Sequence, residues 1–246
     1  MVQSQTYTIP FISKKEIAKD TFSFYFSRPK EFEFIAGQYN RWILPINATD
    51  GRGASRFFTI SSSPNEKDFI SLTTKIIQSD FKKSLLQLKE KDEIKIFGPM
   101  GQFTLDENDT RQQVFIAGGI GITPFHSIIS DVAAKNISIP IILLVSFSLP
   151  EEVIFFSELT EIAKTHDNIK IVYTVTHPKE SQLSWTGETG RISREMIEKY
   201  VKNVKNIPQS VFYVVGPPPM VEGTEKLLEG MGITPSNIKT EQFSGY

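Results

Sequence analysis

The feature that most constrains this chain is a change of hydrophobic rhythm a little before its midpoint. From Tyr7 to about Leu105, apolar and polar residues mostly alternate in twos. In Thr21–Ser27, Phe22, Phe24 and Phe26 fall on one face, with Thr21, Ser23, Tyr25 and Ser27 on the other. Such alternation marks a strand with one face in a core. Further strands are expected at 38–44, 57–61, 70–77 and 93–97, with a short helix at 82–88. Turn clusters at 47–53, 62–65 and 98–101 separate them. Short strands with turn punctuation predict a small antiparallel barrel.

From Arg111 the pattern becomes strand, helix, strand, helix. Strands are expected at 113–117, 139–146, 169–174, 211–215 and 238–240. Helices are expected at 124–135, 151–165, 193–202 and 220–231. The 139–146 stretch is almost continuously apolar, as strands buried on both faces are. This order implies a parallel sheet with right-handed crossovers. The polar run Asp106-Glu-Asn-Asp-Thr110 lies at the change. The expected architecture is therefore two-domain, with an antiparallel β-barrel over 1–107 and an α/β parallel-sheet domain over 108–246.

Composition removes several function classes. There is no cysteine, which excludes disulfides, thiolate zinc, iron–sulfur clusters and cysteine nucleophiles in these residues. With 3 histidines, a His-based metal site is not expected. The 27 basic and 28 acidic residues leave a net charge of −1, too little field to gather a nucleic acid. The longest apolar run falls far short of the ~20 residues that span a membrane, and the N-terminus lacks the pattern of a secretory signal. A cytoplasmic location is the expectation.

Three stretches carry chemistry. Strand 114–117 runs into Gly118-Gly-Ile-Gly-Ile-Thr-Pro124 and then into a helix. Thr123 suits the N-cap and Pro124 the first helical position. A helix starting there would point free N–H groups and a positive dipole end at the turn, as a pyrophosphate requires. The alternative is a tight strand–helix connection with no ligand. A second turn, Val215-Gly-Pro-Pro-Pro-Met220, follows a strand's carboxyl end, where open α/β sheets bind ligands. A stiff loop before a helix reads equally well. In the barrel half, Arg56-Phe-Phe-Thr-Ile-Ser-Ser62 puts Arg56, Phe58 and Ile60 on one face and Phe57, Thr59 and Ser61 on the other. An arginine beside an aromatic suits a ligand with a phosphate and a ring. The bland reading is an edge strand with an exposed arginine.

Taken in order, these stretches resemble the ferredoxin–NADP reductase superfamily, and within it the small bacterial flavin oxidoreductases without an iron–sulfur domain. Gly37-Gln-Tyr39, the R-x-F/Y-T-x-x-S pattern at Arg56, Phe58, Thr59 and Ser62, Gly98-Pro-Met-Gly-Gln-Phe103 and Ala117–Pro124 carry the resemblance. Trp185-Thr-Gly-Glu-Thr-Gly-Arg191, Gly216–Met220 and Glu241-Gln-Phe-Ser-Gly-Tyr246 complete it. It implies a FAD-dependent NAD(P)H oxidoreductase that passes hydride from the dinucleotide to flavin N5. Electrons would then leave for an external acceptor: ferredoxin, flavodoxin, an oxygenase or a small molecule. A non-catalytic flavin or dinucleotide module for redox sensing or electron transfer is the alternative.

The resemblance also implies residue roles. Arg56 would meet the flavin pyrophosphate, Phe58 would stack on the flavin, Thr59 would donate near N5, and Phe57 and Ser62 would belong to the same cofactor-binding set. Thr73, Thr74, Lys75 and Ile76 would offer backbone groups, and Lys82, Lys83 and Ser84 would meet phosphates. Gly118, Gly119, Gly121, Ile122, Thr123, Pro124 and Ser146 would hold the dinucleotide. Gly216, Pro217, Pro218 and Met220 would close over its nicotinamide end. Tyr246, or nearby Phe243, would cover the flavin face that the nicotinamide must reach; a packed C-terminal tail reads equally well. Two positions depart from the family pattern. Val215 stands where many relatives have cysteine, and Ser146-Phe-Ser148 lacks the arginine that favours NADPH. NADH is therefore the expected donor.

Overall fold

The computed structural model describes residues 3–201 and 204–244. The expected C-terminal Tyr246 lies outside the described residues. By its internal contacts the chain forms two compact units. One comprises Met1–Leu105 with His126–Ala134, the other Asp106–Phe125 with Lys135–Tyr246.

The first unit is built on β1 (Gln5–Ala18), β2 (Thr21–Ser27), β3 (Tyr39–Ile43), β4 (Ser55–Thr59), β5 (Phe69–Lys75) and β6 (Glu93–Met100). They form a six-stranded antiparallel sheet in the order β4-β3-β6-β1-β2-β5. Bond Ser61 N–H to Ser71 carbonyl (2.8 Å) joins the chain beyond β4 to β5 and brings the two ends of the order together. β1 has no counterpart among the expected strands. It pairs with β6 through Pro10, then shifts register past Phe11 and pairs with β2. Pro10 falls at the change of partner, a place where a missing N–H is tolerated. The core is unusually aromatic: Phe24, Phe26, Phe32, Trp42 and Phe81 are each 0% exposed. Each such ring contributes roughly 1.5–3 kcal/mol by leaving water. Helix α1 (Asp80–Gln87) closes one end by burying Phe81 and Leu85 in that core.

The second unit holds β7 (Gln113–Gly118), β8 (Ile141–Phe147), β9 (Ile169–Val175), β10 (Glu188–Thr189), β11 (Val211–Gly216) and β12 (Ile238–Gln242). All pair in parallel, in the order β10-β9-β8-β7-β11-β12. β10 has two residues, too few to show any period in the sequence. Helices α2 (Thr123–Ala134), α3 (Phe156–Thr165), α4 (Arg194–Tyr200) and α5 (Pro218–Gly230) complete the crossovers. Val114, Ile116, Ile142, Leu144, Phe212 and Val214 pack with Ile197 of α4, Val201 just after it, and Val221 and Leu228 of α5. On the opposite face Phe115 stacks on Phe125 at 4.6 Å. Among the described residues, no helix is long and apolar enough to cross a membrane.

Three local expectations are corrected. Helix 151–165 splits into a 3-10 turn at Pro150–Glu152 and α3, because Phe155 takes a left-handed φ of 57° before α3 and Ile154 is buried. Thr123 is not an N-cap. A 3-10 turn over Gly119–Ile122 starts the helical path earlier, Thr123 is itself helical, and its hydroxyl donates to the Ile120 carbonyl at 3.1 Å. Pro218 and Pro219 are the opening residues of α5 rather than part of a loop, a place where a missing N–H breaks no helical bond.

Candidate functional site

In the first unit the chemistry gathers around the start of α1. Arg56 leaves β4 and folds back over the loop before it. Its Nη1 donates to the carbonyls of Arg52, Gly53 and Ser55 at 2.8, 2.9 and 2.7 Å. Its Nη2 lies 3.4 Å from Asp50 Oδ2, and the guanidinium carbon sits 5.5 Å from the centre of the Phe81 ring. Two carboxylates tie this loop to the helix. Asp50 accepts from the Asp80 N–H at 3.1 Å, and Asp80 accepts from the Thr49 N–H and hydroxyl at 2.7 and 2.9 Å. The Arg52 N–H holds the Asp50 carboxyl below the usual carboxylate range, and the Thr49 N–H does the same for Asp80.

Lys82 is buried there, its Nζ donating to the Lys75 carbonyl at 2.8 Å. Burial, then repulsion from Arg56 and Arg52, lowers its pKa from 10.5 to about 8. Ser79 precedes α1 in an extended conformation and makes no side-chain cap. Its hydroxyl is buried without a hydrogen-bond partner among the described residues. A cation whose charge is disfavoured by burial and a donor with nothing to bond are both satisfied by one anion. These residues fit the pyrophosphate of a flavin dinucleotide. Lys83 is exposed and Ser84 half-buried on the same helix.

The aromatic and hydroxyl residues separate. Phe58 packs into the core beside Phe81, with ring centres 5.8 Å apart. Phe57 points the other way, 63% exposed, its ring edge-on to Tyr39 at 5.8 Å. Alternation foretold that division, and it puts the Phe57 side chain on the face away from Arg56. Thr59, Thr73 and Thr74 are buried, while Lys75 and Ile76 are half-buried. Thr73 Oγ1 bridges the hydroxyls of Ser23 (2.8 Å) and Ser61 (3.0 Å). Ser62 Oγ accepts from the Ser71 N–H, and the Ser62 carbonyl accepts from Ser127 Oγ at 2.7 Å.

In the second unit, β7 and β11 are neighbours although three strands separate them in sequence. β8, β9 and β10 spread to one side and β12 to the other. This is a topological switch point, where the carboxyl ends of adjacent strands leave a ligand crevice. Both glycine-bearing turns sit there. Gly119 has φ +54° with open space where a side chain would project. Its backbone can therefore lie against a ligand. Gly121 answers a different need. A Cβ on it would come within 2.7 Å of the Val215 carbonyl oxygen. Gly118 and Gly216 both border the Met220 sulfur, which lies 2.6 Å from where either Cβ would be. Ile122, Thr123 and Pro124 are buried, Pro217 and Pro218 are half-buried, and half-buried Ser146 is in register with Gly118 on β8.

One residue carried no role in the sequence reading. Glu241 lies on β12 in register with Val215, one residue before the Gly216 turn. Its Oε2 is shielded and has no hydrogen-bond partner among the described residues, and burial raises its pKa to about 7. The next apolar residue, Phe243, donates its N–H to the Gly216 carbonyl at 2.9 Å. A glutamate in a short polar strand gives no sequence signal of burial. Asp50 was likewise hidden, in a turn that composition marks only as polar.

Residues 8–105 match the oxidoreductase FAD-binding domain family and residues 115–226 the oxidoreductase NAD-binding domain family. NADH-cytochrome b5 reductase 1 of Aspergillus oryzae is 28% identical over 231 residues, covering 90% of this chain and 77% of that protein. The glycine betaine monooxygenase reductase subunit of Pseudomonas aeruginosa is 28% identical over 225 residues, covering 91% of this chain and 60% of that protein. Among solved structures, the ferredoxin NADP+ reductase of Neisseria gonorrhoeae with bound FAD and NADP aligns with a TM-score of 0.80. It is 21% identical over 98% of this chain and 99% of that one. The Amycolatopsis cytochrome P450 reductase gives 0.82 at 22% identity, covering 100% of this chain and 72% of that one. The fold and the two domain matches define a flavin- and nicotinamide-dependent oxidoreductase. The chain belongs to the ferredoxin–NADP reductase superfamily, joining an FAD-binding domain to an NAD-binding domain.

Proposed function

We propose that this chain takes hydride from NADH and delivers electrons through FAD to an acceptor outside itself. The observation that carries the reading is the open, left-handed Gly119 at the switch point between β7 and β11. Bound FAD supplies a hydride acceptor that can release electrons singly. The chain's own residues bind and orient. Arg56, Lys82 and the Ser79 hydroxyl hold the flavin diphosphate, and Thr59 hydrogen-bonds near N5. Gly119 and the first turn of α2 hold the dinucleotide diphosphate, with Met220 and Gly216 against the nicotinamide end. Glu241, raised by burial to about 7, exchanges a proton beside that end around neutral pH.

NADH is favoured by the end of β8. Phe147 there is buried against Tyr173, and Ser146 and Ser148 bring no cation for a 2′-phosphate. The name of the cytochrome b5 reductase relative points the same way. Other relatives are named for oxygenase and quinone reduction, so the acceptor class extends from haem proteins to small molecules. The test is to purify the protein, identify the flavin it releases, and compare NADH with NADPH using ferricyanide as acceptor. A kcat/KM at least about tenfold higher for NADH is expected, since a clamped phosphate contributes charge-assisted bonds of that order. Equal values would refute the assignment. The Glu241→Gln variant should lose an inflection near pH 7 in the kcat/KM profile; an unchanged profile would remove Glu241 from the site.

A further inference from the structure

Beyond its opening turn, helix α2 turns polar side chains onto one short segment of the first unit. The helix starts at Thr123, directly after the glycine turn, and its residues His126–Ala134 group with that unit. The Nδ1–H of His126 donates to the Ser61 carbonyl at 2.7 Å, since a carbonyl oxygen can only accept. The next residue, Ser127, is 0% exposed, and its hydroxyl donates to the Ser62 carbonyl at 2.7 Å. One turn further on, Asp131 accepts from Asn65 Nδ2 at 2.5 Å. Between them Ile128 touches the Gly37 turn, its Cδ1 lying 3.2 Å from where a Cβ on Gly37 would be.

The segment so held follows Thr59, the last residue of β4. Its N–H groups pair elsewhere: Ile60 donates to the Gln38 carbonyl at 3.0 Å, and Ser61 to the Ser71 carbonyl at 2.8 Å. The carbonyls of Ser61 and Ser62 pair with α2 instead. A helix that only packed against this segment would present an apolar stripe. Here two consecutive side chains of one helix serve two consecutive carbonyls of buried residues just past Thr59.

The two ends of α2 thus meet different parts of the chemistry. A diphosphate on the free N–H groups of its opening turn stabilises the helix. A helix forms cooperatively, so support at one end favours the turns that follow. The formed helix is the state that presents His126 and Ser127 to Ser61 and Ser62. Two ligands that favour the same state each tighten the other's binding, and by equal factors.

We infer that α2 couples the two cofactor sites, so that a dinucleotide diphosphate at its opening turn tightens the hold on FAD, with His126 and Ser127 as the positioning residues. The inference rests on the reading above, in which Gly119 meets the dinucleotide and Thr59 the flavin, and adds a linkage between them. The flavin is then held hardest while its hydride donor is bound.

The test uses the FAD-loaded protein and ADP-ribose, which carries the dinucleotide's diphosphate and adenosine but no nicotinamide to lie against the flavin. FAD release is followed by the fluorescence of the freed flavin, with and without saturating ADP-ribose. In the wild type ADP-ribose should slow release about fivefold or more, the low end of coupling between sites. Ser127→Ala and His126→Leu should each weaken that slowing, and the double variant should bring it below about twofold. His126→Asn, which puts a side-chain N–H where Nδ1 stood, should keep most of it. ADP-ribose should still bind the double variant, its affinity for the loaded protein lowered by no more than the coupling lost, because coupling is reciprocal. Two results overturn the inference. One is wild-type release that ADP-ribose leaves unchanged while titration shows it bound, a result that decides even where a variant fails to fold. The other is equal slowing in the wild type and the double variant, even if the variant melts at lower temperature, which would make α2 a packing contact alone. ADP-ribose that does not bind, or a chain that retains no FAD, would instead strike the oxidoreductase reading, and the inference with it.

Discussion

Lys82 shows how one side chain reports a missing counter-ion. Its pKa of about 8 means the unfolded chain binds more protons than the folded one between pH 8 and 10.5. The charged-state penalty is fully present below pH 8 and relieved as pH rises through that window, so this group makes the flavin-free protein more stable with rising pH. A bound diphosphate reverses the sign by restoring the charged form. Binding of FAD to the apoprotein should therefore take up a proton and weaken as pH rises above about 8. Calorimetric titration at pH 7, 8 and 9 in buffers of different ionisation enthalpy checks this, and Lys82→Met should bind more weakly with the pH slope gone. A slope that survives the substitution would assign it to another group. None of this was legible in the sequence, where Lys82-Lys-Ser84 marks a helix start but not which lysine is buried. The 3.6-residue turn decides that, placing Lys82 beside buried Phe81 while Lys83 faces water.

At the scale of elements, alternation was informative wherever one face met a core. It placed β2 and β4 and divided Phe57 from Phe58. It failed at β1, where Pro10 and a register shift interrupt the period, and at two-residue β10. The glycine turn was legible as a motif, but its glycines serve different ends that only packing separates. Gly121 lets β11 pass, so Gly121→Ala forces a Cβ into a backbone carbonyl and should cost about 1–3 kcal/mol, as overpacking does. Gly119→Ala meets no atom and carries only the left-handed penalty, about 1 kcal/mol, yet it puts a methyl group where the ligand comes. Thermal melts and NADH titrations should therefore separate the pair. Gly121→Ala should lower Tm more, and Gly119→Ala should raise KM for NADH more. The reverse order would move the ligand away from Gly119. The segment His126–Ala134 adds a point that no local pattern reveals. It follows the glycine turn in sequence but groups with the first unit, where Ser127 binds the Ser62 carbonyl and Asp131 accepts from Asn65.

For the whole molecule, the order of motifs said more than any one of them. G-x-G after a strand, or an arginine two residues before an aromatic, is common in isolation. Their sequence along one chain, with the change of rhythm between them, was enough to name the superfamily that the domain matches then established. What stayed hidden was electrostatic and conformational. The burial of Lys82 and Glu241, the unsatisfied Ser79 hydroxyl and the left-handed Gly119 all depend on residues far apart in sequence. The central claim is that hydride enters this chain from a nicotinamide and rests on its flavin. Rapid anaerobic mixing of the FAD-loaded protein with one equivalent of NADH tests it most directly. The account predicts bleaching of the flavin visible band with formation of one NAD+ per flavin, faster than steady-state turnover with ferricyanide. A flavin band that persists through many turnover times, with NADH bound but unoxidised, would contradict it.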